Sequence, residues 1–118
     1  MPRTPNRPLS LPVLHILLVL ADGERHGYGI KQEVERRTGG AIRLGPGTLY
    51  EAVQRLEDGR LIEPAPRPQR RPGNGQEAQR RYYRLTDRGW TALREELRQL
   101  GQLVDVARGN PRLKRGLA

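Results

Sequence analysis

Arginine is the residue type in this sequence that most clearly indicates a binding chemistry. Only two of the 22 basic residues are lysines, and the planar guanidinium group binds a phosphate, or the edge of a guanine, through two parallel hydrogen bonds. Against 13 acidic residues, the basic side chains leave a formal net charge of +9. One segment is especially rich in arginine, with Arg67, Arg70, Arg71, Arg80 and Arg81. The sequence therefore predicts a polyanionic partner, with nucleic acid favoured over a membrane surface.

The residues that catalytic and metal sites require are scarce. The chain has no cysteine and two histidines, which excludes disulfides, thiolate nucleophiles and cysteine-ligated metal sites. We find no paired carboxylates suited to acid–base work, no nucleophile with an adjacent base and no nucleotide-binding loop. We therefore predict that the protein is not an enzyme and that it needs no cofactor and no metal.

A second group of candidate residues lies on a helix that is predicted between about Pro46 and Asp58. Three of its apolar side chains, those of Leu49, Val53 and Leu56, fall within about 60° of one another around the helix axis. The opposite side carries Gly47, Tyr50, Glu51 and Gln54. This pattern indicates a helix that docks one face on the domain and presents the other.

The presented face suits the major groove of duplex DNA. The small side chains of Gly47 and Thr48 permit close approach to a phosphate, and the free backbone amides of the first turn attract an anion. The Tyr50 hydroxyl can donate to a phosphate, while Gln54 and Arg55 are candidates for contacts with bases or phosphates.

The start of this helix has two interpretations. Gly45 can be the N-cap with Pro46 at the first helical position. Alternatively, Thr48 can cap the helix with Glu51 three residues later, as a capping box.

Two helices are predicted before this one. The first runs from about Ser10 to Asp22 and is apolar on nearly all sides, so other elements are expected to cover it. Its apolar run is too short for a bilayer, which needs about 20 residues, and we expect a cytoplasmic protein without a membrane partner. The second helix runs from about Gly27 to Thr38. Its side chains divide into Tyr28, Ile30 and Val34, predicted inward, and Lys31, Glu35 and Arg36, predicted outward.

After Gly59 the apolar residues alternate, which predicts a β-hairpin. Short strands are expected at residues 61–63 and 80–86, the second with Tyr83 and Leu85 alternating with Tyr82 and Arg84. The intervening segment, 64–79, is rich in Pro, Gly, Gln and Arg and is expected to be a long mobile hairpin tip.

The last helix is predicted from its N-cap, Thr86, to about Arg108. Its apolar residues recur at alternating intervals of three and four, which is the spacing of a coiled-coil seam. The seam residues are Trp90, Leu93, Leu97, Leu100, Val104 and Ala107. Because the preceding domain is small and already closed, we predict that this seam pairs with the same helix of a second copy.

Three helices followed by a two-stranded hairpin, with a polar-faced third helix, predict a winged helix-turn-helix. The fold class is thus mostly α with a small β-hairpin and a long C-terminal dimerisation helix. The expected organisation is a disordered basic arm over 1–8, the DNA-binding domain over 9–86, the dimerisation helix over 87–108 and a basic tail over 109–118.

Four segments, in this order, resemble the PadR family of transcriptional regulators. They read LLVLADGERHGYGI at 17–30, LGPGTLY at 44–50, LEDGRLI at 56–62 and YYRLTDRG at 82–89. The match extends over about residues 11–108. The resemblance implies a dimeric winged-helix repressor of a pseudo-palindromic operator, and the short C-terminus is similar to the smaller subfamily, in which a single C-terminal helix dimerises.

The predicted DNA-binding residues combine both candidate groups with two positions on the second helix. Tyr28 has two interpretations, core packing or phosphate contact, and His26 is expected to be a structural residue at a helix start. The full set is Tyr28, Lys31, Gly47, Thr48, Tyr50, Gln54, Arg55, Arg70, Arg71, Arg80 and Arg81. The seam residues form the predicted dimer interface.

Two alternative functions remain open beside homodimeric binding of double-stranded DNA. A basic RNA-binding module would account for the net charge equally well. A regulator that senses a small-molecule effector at its dimer interface is the other alternative. Related small regulators hold flat aromatic compounds between their dimer helices, and Trp90 lies at the start of the corresponding helix here.

Overall fold

The first helix, α1 (Leu11–Ala21), lies at the centre of the core in the computed structural model, which describes residues 9–66 and 81–117. The side chains of Ile16, Leu17 and Val19 have no solvent exposure at all. Burying each of them stabilises the fold by about 1.5–3 kcal/mol. The helix begins after Ser10, whose hydroxyl accepts a hydrogen bond from the backbone N–H of Val13 at 3.3 Å. The expectation of a covered first helix is confirmed.

The remaining elements surround α1. In chain order they are β1 (Arg25–His26), α2 (Gly27–Arg37), α3 (Pro46–Asp58), β2 (Ile62–Ala65), β3 (Tyr82–Leu85), α4 (Asp87–Arg108) and the one-turn helix α5 (Pro111–Lys114). Helices α2 and α4 and strand β3 all pack directly on α1. This arrangement confirms the mostly helical winged fold.

The sheet has three antiparallel strands in the order β1-β3-β2, so the prediction of a two-stranded hairpin was incomplete. Strand β1 has two residues, too few for an alternating pattern to be visible, and pairs Arg25 with Tyr83. Strand β2 begins one residue later than predicted, because Leu61 lies in the turn that follows α3 and its N–H donates to the Leu56 carbonyl. It extends through Pro64, which the edge position of β2 tolerates.

Within β3, the predicted alternation is confirmed. Tyr83 and Leu85 are buried, while Arg84 is exposed and Tyr82 is partly exposed. The strand is shorter than predicted, at Tyr82–Leu85 instead of 80–86. The predicted hairpin tip lies mostly outside the described residues, as does the predicted basic arm at 1–8.

The bounds of the other helices agree closely with the predictions. Helix α3 uses Gly45 as N-cap with Pro46 at the first helical position, so the Thr48 capping box does not form. On α2, Ile30 and Val34 are fully buried as predicted, but Tyr28 is 51% exposed. The prediction that Tyr28 points inward was wrong: it lies in the first turn of α2, where about half of its surface is exposed.

Helix α4 is attached to the domain at its first turn. The Thr86 hydroxyl accepts from the Gly89 N–H at 2.9 Å and also donates to the Arg60 carbonyl at 2.6 Å. Gly89 packs so closely that a Cβ atom there would lie 2.1 Å from the carbonyl oxygen of Leu61. Backbone contact therefore fixes where the long helix leaves the domain.

The segment predicted as a basic tail contains a short helix that sequence reasoning missed. Asn110 caps α5, its side-chain oxygen accepting from the N–H groups of Arg112 and Leu113. Asn110 and Pro111, which were predicted to end α4, also favour the start of a new helix, because Pro is common at the first helical position.

Replacing Gly89 by Ala tests the attachment of α4. We expect the free energy of unfolding to fall by about 2 kcal/mol or more, because the added methyl group overlaps a backbone carbonyl that cannot move without shifting the turn after α3. Chemical denaturation followed by circular dichroism measures the change.

Gly101→Ala is the matched control on the same helix, since nothing lies within 4 Å of a Cβ atom at Gly101. It should leave stability unchanged or raise it by up to about 1 kcal/mol. Equal stability of the two variants would show that the contact at Gly89 does not constrain the fold.

Candidate nucleic-acid interface

Helix α3 buries one face and exposes the other, as its sequence predicts. Leu49, Val53 and Leu56 belong to the hydrophobic core. Tyr50 is 70% exposed. The other candidate residues of this helix are also exposed; they are Gly47, Thr48, Gln54 and Arg55. The Gln54 side chain donates to Asp58 at 3.3 Å along the same helix. The polar face is thus accessible over the first two turns.

The first turn of α2 lies beside this face and is held by a histidine. The Nδ1 atom of His26 accepts a hydrogen bond from the Gly29 N–H at 3.0 Å, which confirms that His26 is a structural N-cap. The ring also meets Tyr82 edge-on, with centroids 5.2 Å apart. Through these contacts the sheet fixes the position of the turn that carries Tyr28.

Four predicted DNA-binding residues meet around one cavity of about 390 Å³. They come from three elements: Tyr28 and Lys31 from α2, Tyr50 from α3 and Arg81 from the residue before β3. The rest of the lining is His26, Gly27, Pro46, Leu49, Val53 and Tyr83. We refer to this space as the helix–wing cavity. Residues far apart in the chain thus share one surface, and no pattern in the sequence indicated the cavity between them.

The two basic residues of the cavity each have an acidic neighbour. Lys31 forms an ion pair with Glu35 at 2.8 Å along α2. Arg81 lies 3.7 Å from the carboxylate of Glu57 on α3, and its side chain is 63% exposed. A separation of 3.7 Å is too long for a hydrogen bond, so the Arg81 guanidinium retains donors for another anion. Nearby, burial raises the pKa of Tyr83, whose hydroxyl stays protonated at neutral pH.

An ion-pair network that sequence reasoning missed joins α2 to the end of α1. Glu33 accepts hydrogen bonds from Arg36 and Arg37, which lower its pKa to about 2. Arg37 also pairs with Asp22, beyond the end of α1. In the sequence, the spacing of three and four residues between Glu33 and the two arginines could have predicted these ion pairs. This network helps to hold α2, and with it Tyr28 and Lys31, against α1.

Three of the predicted arginines, Arg70, Arg71 and Arg80, lie outside the described residues, as does Arg67. Arg81, which follows Arg80 in the chain, is the first described residue on this side of the wing.

The seam residues of α4 differ in their surroundings. Leu93 is 3% exposed and belongs to the core of its own protomer. Five further apolar side chains of α4 form an exposed row; they are Trp90, Leu97, Leu100, Leu103 and Val104, whereas Ala107 is partly covered. Leu103 and also Val106 are exposed apolar residues that the heptad pattern did not include. Beyond Leu93, the apolar side chains of α4 are only partly covered by the described residues: Leu97, Leu100 and Val104 keep 36–39% of their surface exposed.

Comparison with known proteins places the chain in a family. The transcriptional regulator Rv3488 of Mycobacterium tuberculosis is 42% identical over 92 residues, which cover 77% of each chain. A family model described as the transcriptional regulator PadR-like family matches residues 16–95. The chain belongs to the PadR-like family. This confirms the resemblance seen in the sequence, and because the family consists of transcriptional regulators, the prediction that the protein is not an enzyme is also confirmed.

Solved structures of PadR regulators share the fold. A PadR family transcription regulator from Clostridium difficile has a TM-score of 0.69 at 25% identity, covering 85% of this chain and 97% of that one. Bacillus subtilis PadR, solved in complex with operator DNA, has a TM-score of 0.59 at 24% identity, covering 75% of this chain and 47% of that one. Because B. subtilis PadR is only 24% identical to this chain, the similarity between the two proteins shows a shared fold and no more.

Within residues 9–66 and 81–117, no group of three histidine or acidic side chains is placed to hold a metal ion. None of the helices there is both long enough and apolar enough to cross a bilayer.

Replacing His26 by Ala tests the N-cap that fixes the first turn of α2. Loss of the bond to Gly29 should lower the free energy of unfolding by about 1 kcal/mol, with more from the lost contact with Tyr82. Urea denaturation measures the change. His26→Asn is the control, since an Asn side chain caps equally well and should recover most of the loss; no recovery would show that ring packing, and not the cap, holds this turn.

Proposed function

We propose that the protein is a homodimeric transcriptional regulator that binds double-stranded DNA sequence-specifically and represses transcription at a pseudo-palindromic operator. The observation that carries this proposal is the exposed polar face of α3, with Tyr50 70% exposed, beside Lys31 and Arg81. A recognition helix that reads a major groove buries one face on its domain and exposes a polar face, and small residues such as Gly45 and Gly47 at its start leave room for the DNA backbone. Genomic DNA as ligand implies that the protein acts in the cytoplasm.

The roles of the individual residues follow from their chemistry. Gln54 and Arg55 are the residues we assign to base edges or phosphates, because their side chains are exposed on α3 and carry several donors. Gly47, Thr48 and Tyr50, at the start of the helix, are assigned to a phosphate. The arginines of the wing, Arg70, Arg71, Arg80 and Arg81, are assigned to the backbone or to the adjacent minor groove.

Dimerisation supplies the uncovered apolar side of α4 with a partner. A monomer would leave Trp90, Leu97, Leu100 and Val104 in water, and a second copy can cover them by an isologous contact. Two α3 helices then enter successive major grooves about 34 Å apart. A two-fold symmetric reader requires a site with the same symmetry, and a bound dimer excludes other proteins from that stretch of DNA. B. subtilis PadR, whose fold this chain shares, is a protein that binds operator DNA.

Removing one wing charge tests the DNA interface. Arg81→Ala should weaken binding to an operator selected from a genomic fragment library. The slope of log K against log salt should become shallower by about 2, as expected for one lost phosphate contact in each of the two protomers. Tyr50→Phe combined with Arg70→Ala and Arg71→Ala should make the slope shallower by roughly 4, because only the two arginines of each protomer carry a charge. Fluorescence anisotropy at several salt concentrations measures both quantities.

Arg98→Ala is the control of equal charge, since Arg98 lies on α4 and pairs with Glu95. The slope of log K against log salt for this variant should equal that of the unsubstituted protein. Full binding by the triple variant would contradict the assigned interface, and tighter binding of structured RNA than of duplex DNA at physiological salt would favour the RNA-binding alternative.

A charge placed in the seam tests the dimer. Leu97→Glu should convert the protein to a monomer or weaken association at least tenfold, because the carboxylate would be buried between two apolar helices. Light scattering reports the mass. Gln102→Glu puts the same charge on the opposite side of α4, where Gln102 is exposed, and should remain dimeric; an unchanged mass for both variants would exclude the seam as the interface.

A further inference from the structure

The helix–wing cavity has an unusual lining for a surface that carries cations. Its wall consists almost entirely of carbon atoms, to which Pro46, Leu49 and Val53 contribute aliphatic groups and Tyr50 and Tyr83 contribute ring surface. A phosphate does not suit such a space, because a charge buried against carbon loses its hydration without compensation. The centre of the cavity is therefore suited to an uncharged, mostly apolar group.

The cations lie on two different elements of the same cavity. Lys31 comes from α2 and Arg81 from the residue before β3. Their carboxylate partners, Glu35 and Glu57, are on α2 and α3, and Arg81 is the more loosely held of the two. The site thus combines an apolar centre with anion-binding groups from separate elements, which is a match for a group that lies between two phosphates.

We propose that the helix–wing cavity holds a deoxyribose of one DNA strand, with the phosphates on either side of this sugar bound by Lys31 and Arg81. The inference rests on the proposed function, since it assumes that duplex DNA binds this face. In a nucleic-acid strand the sugar is the group that joins successive phosphates, and in DNA its C2′ atom is a plain methylene.

This placement makes the cavity a site of discrimination between DNA and RNA. Ribose carries a 2′-hydroxyl, which proteins use to distinguish the two nucleic acids. A hydroxyl turned toward the side chains of Leu49 and Val53 would lose bonds to water on that side, and neither side chain has a polar atom to replace them. The basic surface would attract DNA and RNA alike, and the cavity would then lower the affinity for RNA.

A scan with single ribonucleotides tests the proposal on the unmodified protein. A selected operator duplex is synthesised with one ribonucleotide in turn at each position of a half-site, and the affinity of each duplex is measured by fluorescence anisotropy. One or two positions in the half-site should weaken binding roughly tenfold, the cost of a buried unpaired hydroxyl, and the others less than about twofold.

Equal tolerance at all positions would overturn the proposal and would mean that something other than a backbone sugar occupies the cavity. Failure of the all-DNA operator to bind would instead overturn the proposed function. The two failures are therefore distinguishable in the same experiment.

A variant of the wall links the sensitive position to this cavity. Val53→Thr keeps the shape of the side chain but adds a hydroxyl, which offers a 2′-hydroxyl a hydrogen-bond partner. The ratio of the affinities for the all-DNA and the ribo-substituted operator should fall from roughly tenfold to about threefold or less.

Val13→Thr is the matched control, because Val13 lies on α1 and does not line the cavity; its ratio should stay at roughly tenfold. Thermal unfolding confirms that both variants are folded. An unchanged ratio in folded Val53→Thr would assign the discrimination elsewhere and overturn the proposal, and the ribonucleotide scan decides alone if Val53→Thr does not fold.

Discussion

Burial of an almost wholly apolar helix is the constraint on which this structure depends. Helix α1 exposes no carbon of Ile16, Leu17 or Val19, and a helix of this kind is stable in water only when neighbours cover it on most sides. Because the chain has no phenylalanine and a single tryptophan, aliphatic side chains from several elements supply that cover. Packing α2, α4 and β3 on one central helix fixes their relative positions, and the binding surface follows from those positions.

The candidate interface is a consequence of this packing. The first turns of α2 and α3 and the start of β3 meet on the same side of the domain, so Tyr28, Tyr50 and Arg81 surround one cavity. Two further devices hold α2 in place: the His26 cap, which ties it to the sheet, and the Glu33–Arg37–Asp22 network, which ties it to α1. Structural side chains thus determine where the candidate binding residues lie.

Helix α4 has a part that packs in its own domain and a part whose apolar side chains are exposed. Near Gly89 and Leu93 the helix is packed into its own domain, with backbone contact to Leu61. Further along, from Leu97 to Val106, apolar side chains are exposed. The heptad pattern predicted one continuous interface, but Leu93 within that pattern belongs to the core of its own domain.

The sequence by itself determined the winged fold, the ends of the long helices, the buried and exposed sides of α3 and the alternation in β3. These features are set by local periodicity and by cap residues such as Ser10 and Thr86, which act within a few positions of themselves. Only the tertiary structure decided that Tyr28 is exposed, that β1 joins the sheet, that Leu93 belongs to the core and that a carbon-lined cavity lies between cations. Those outcomes depend on which elements meet, and contacts between distant segments leave no periodic trace in the chain.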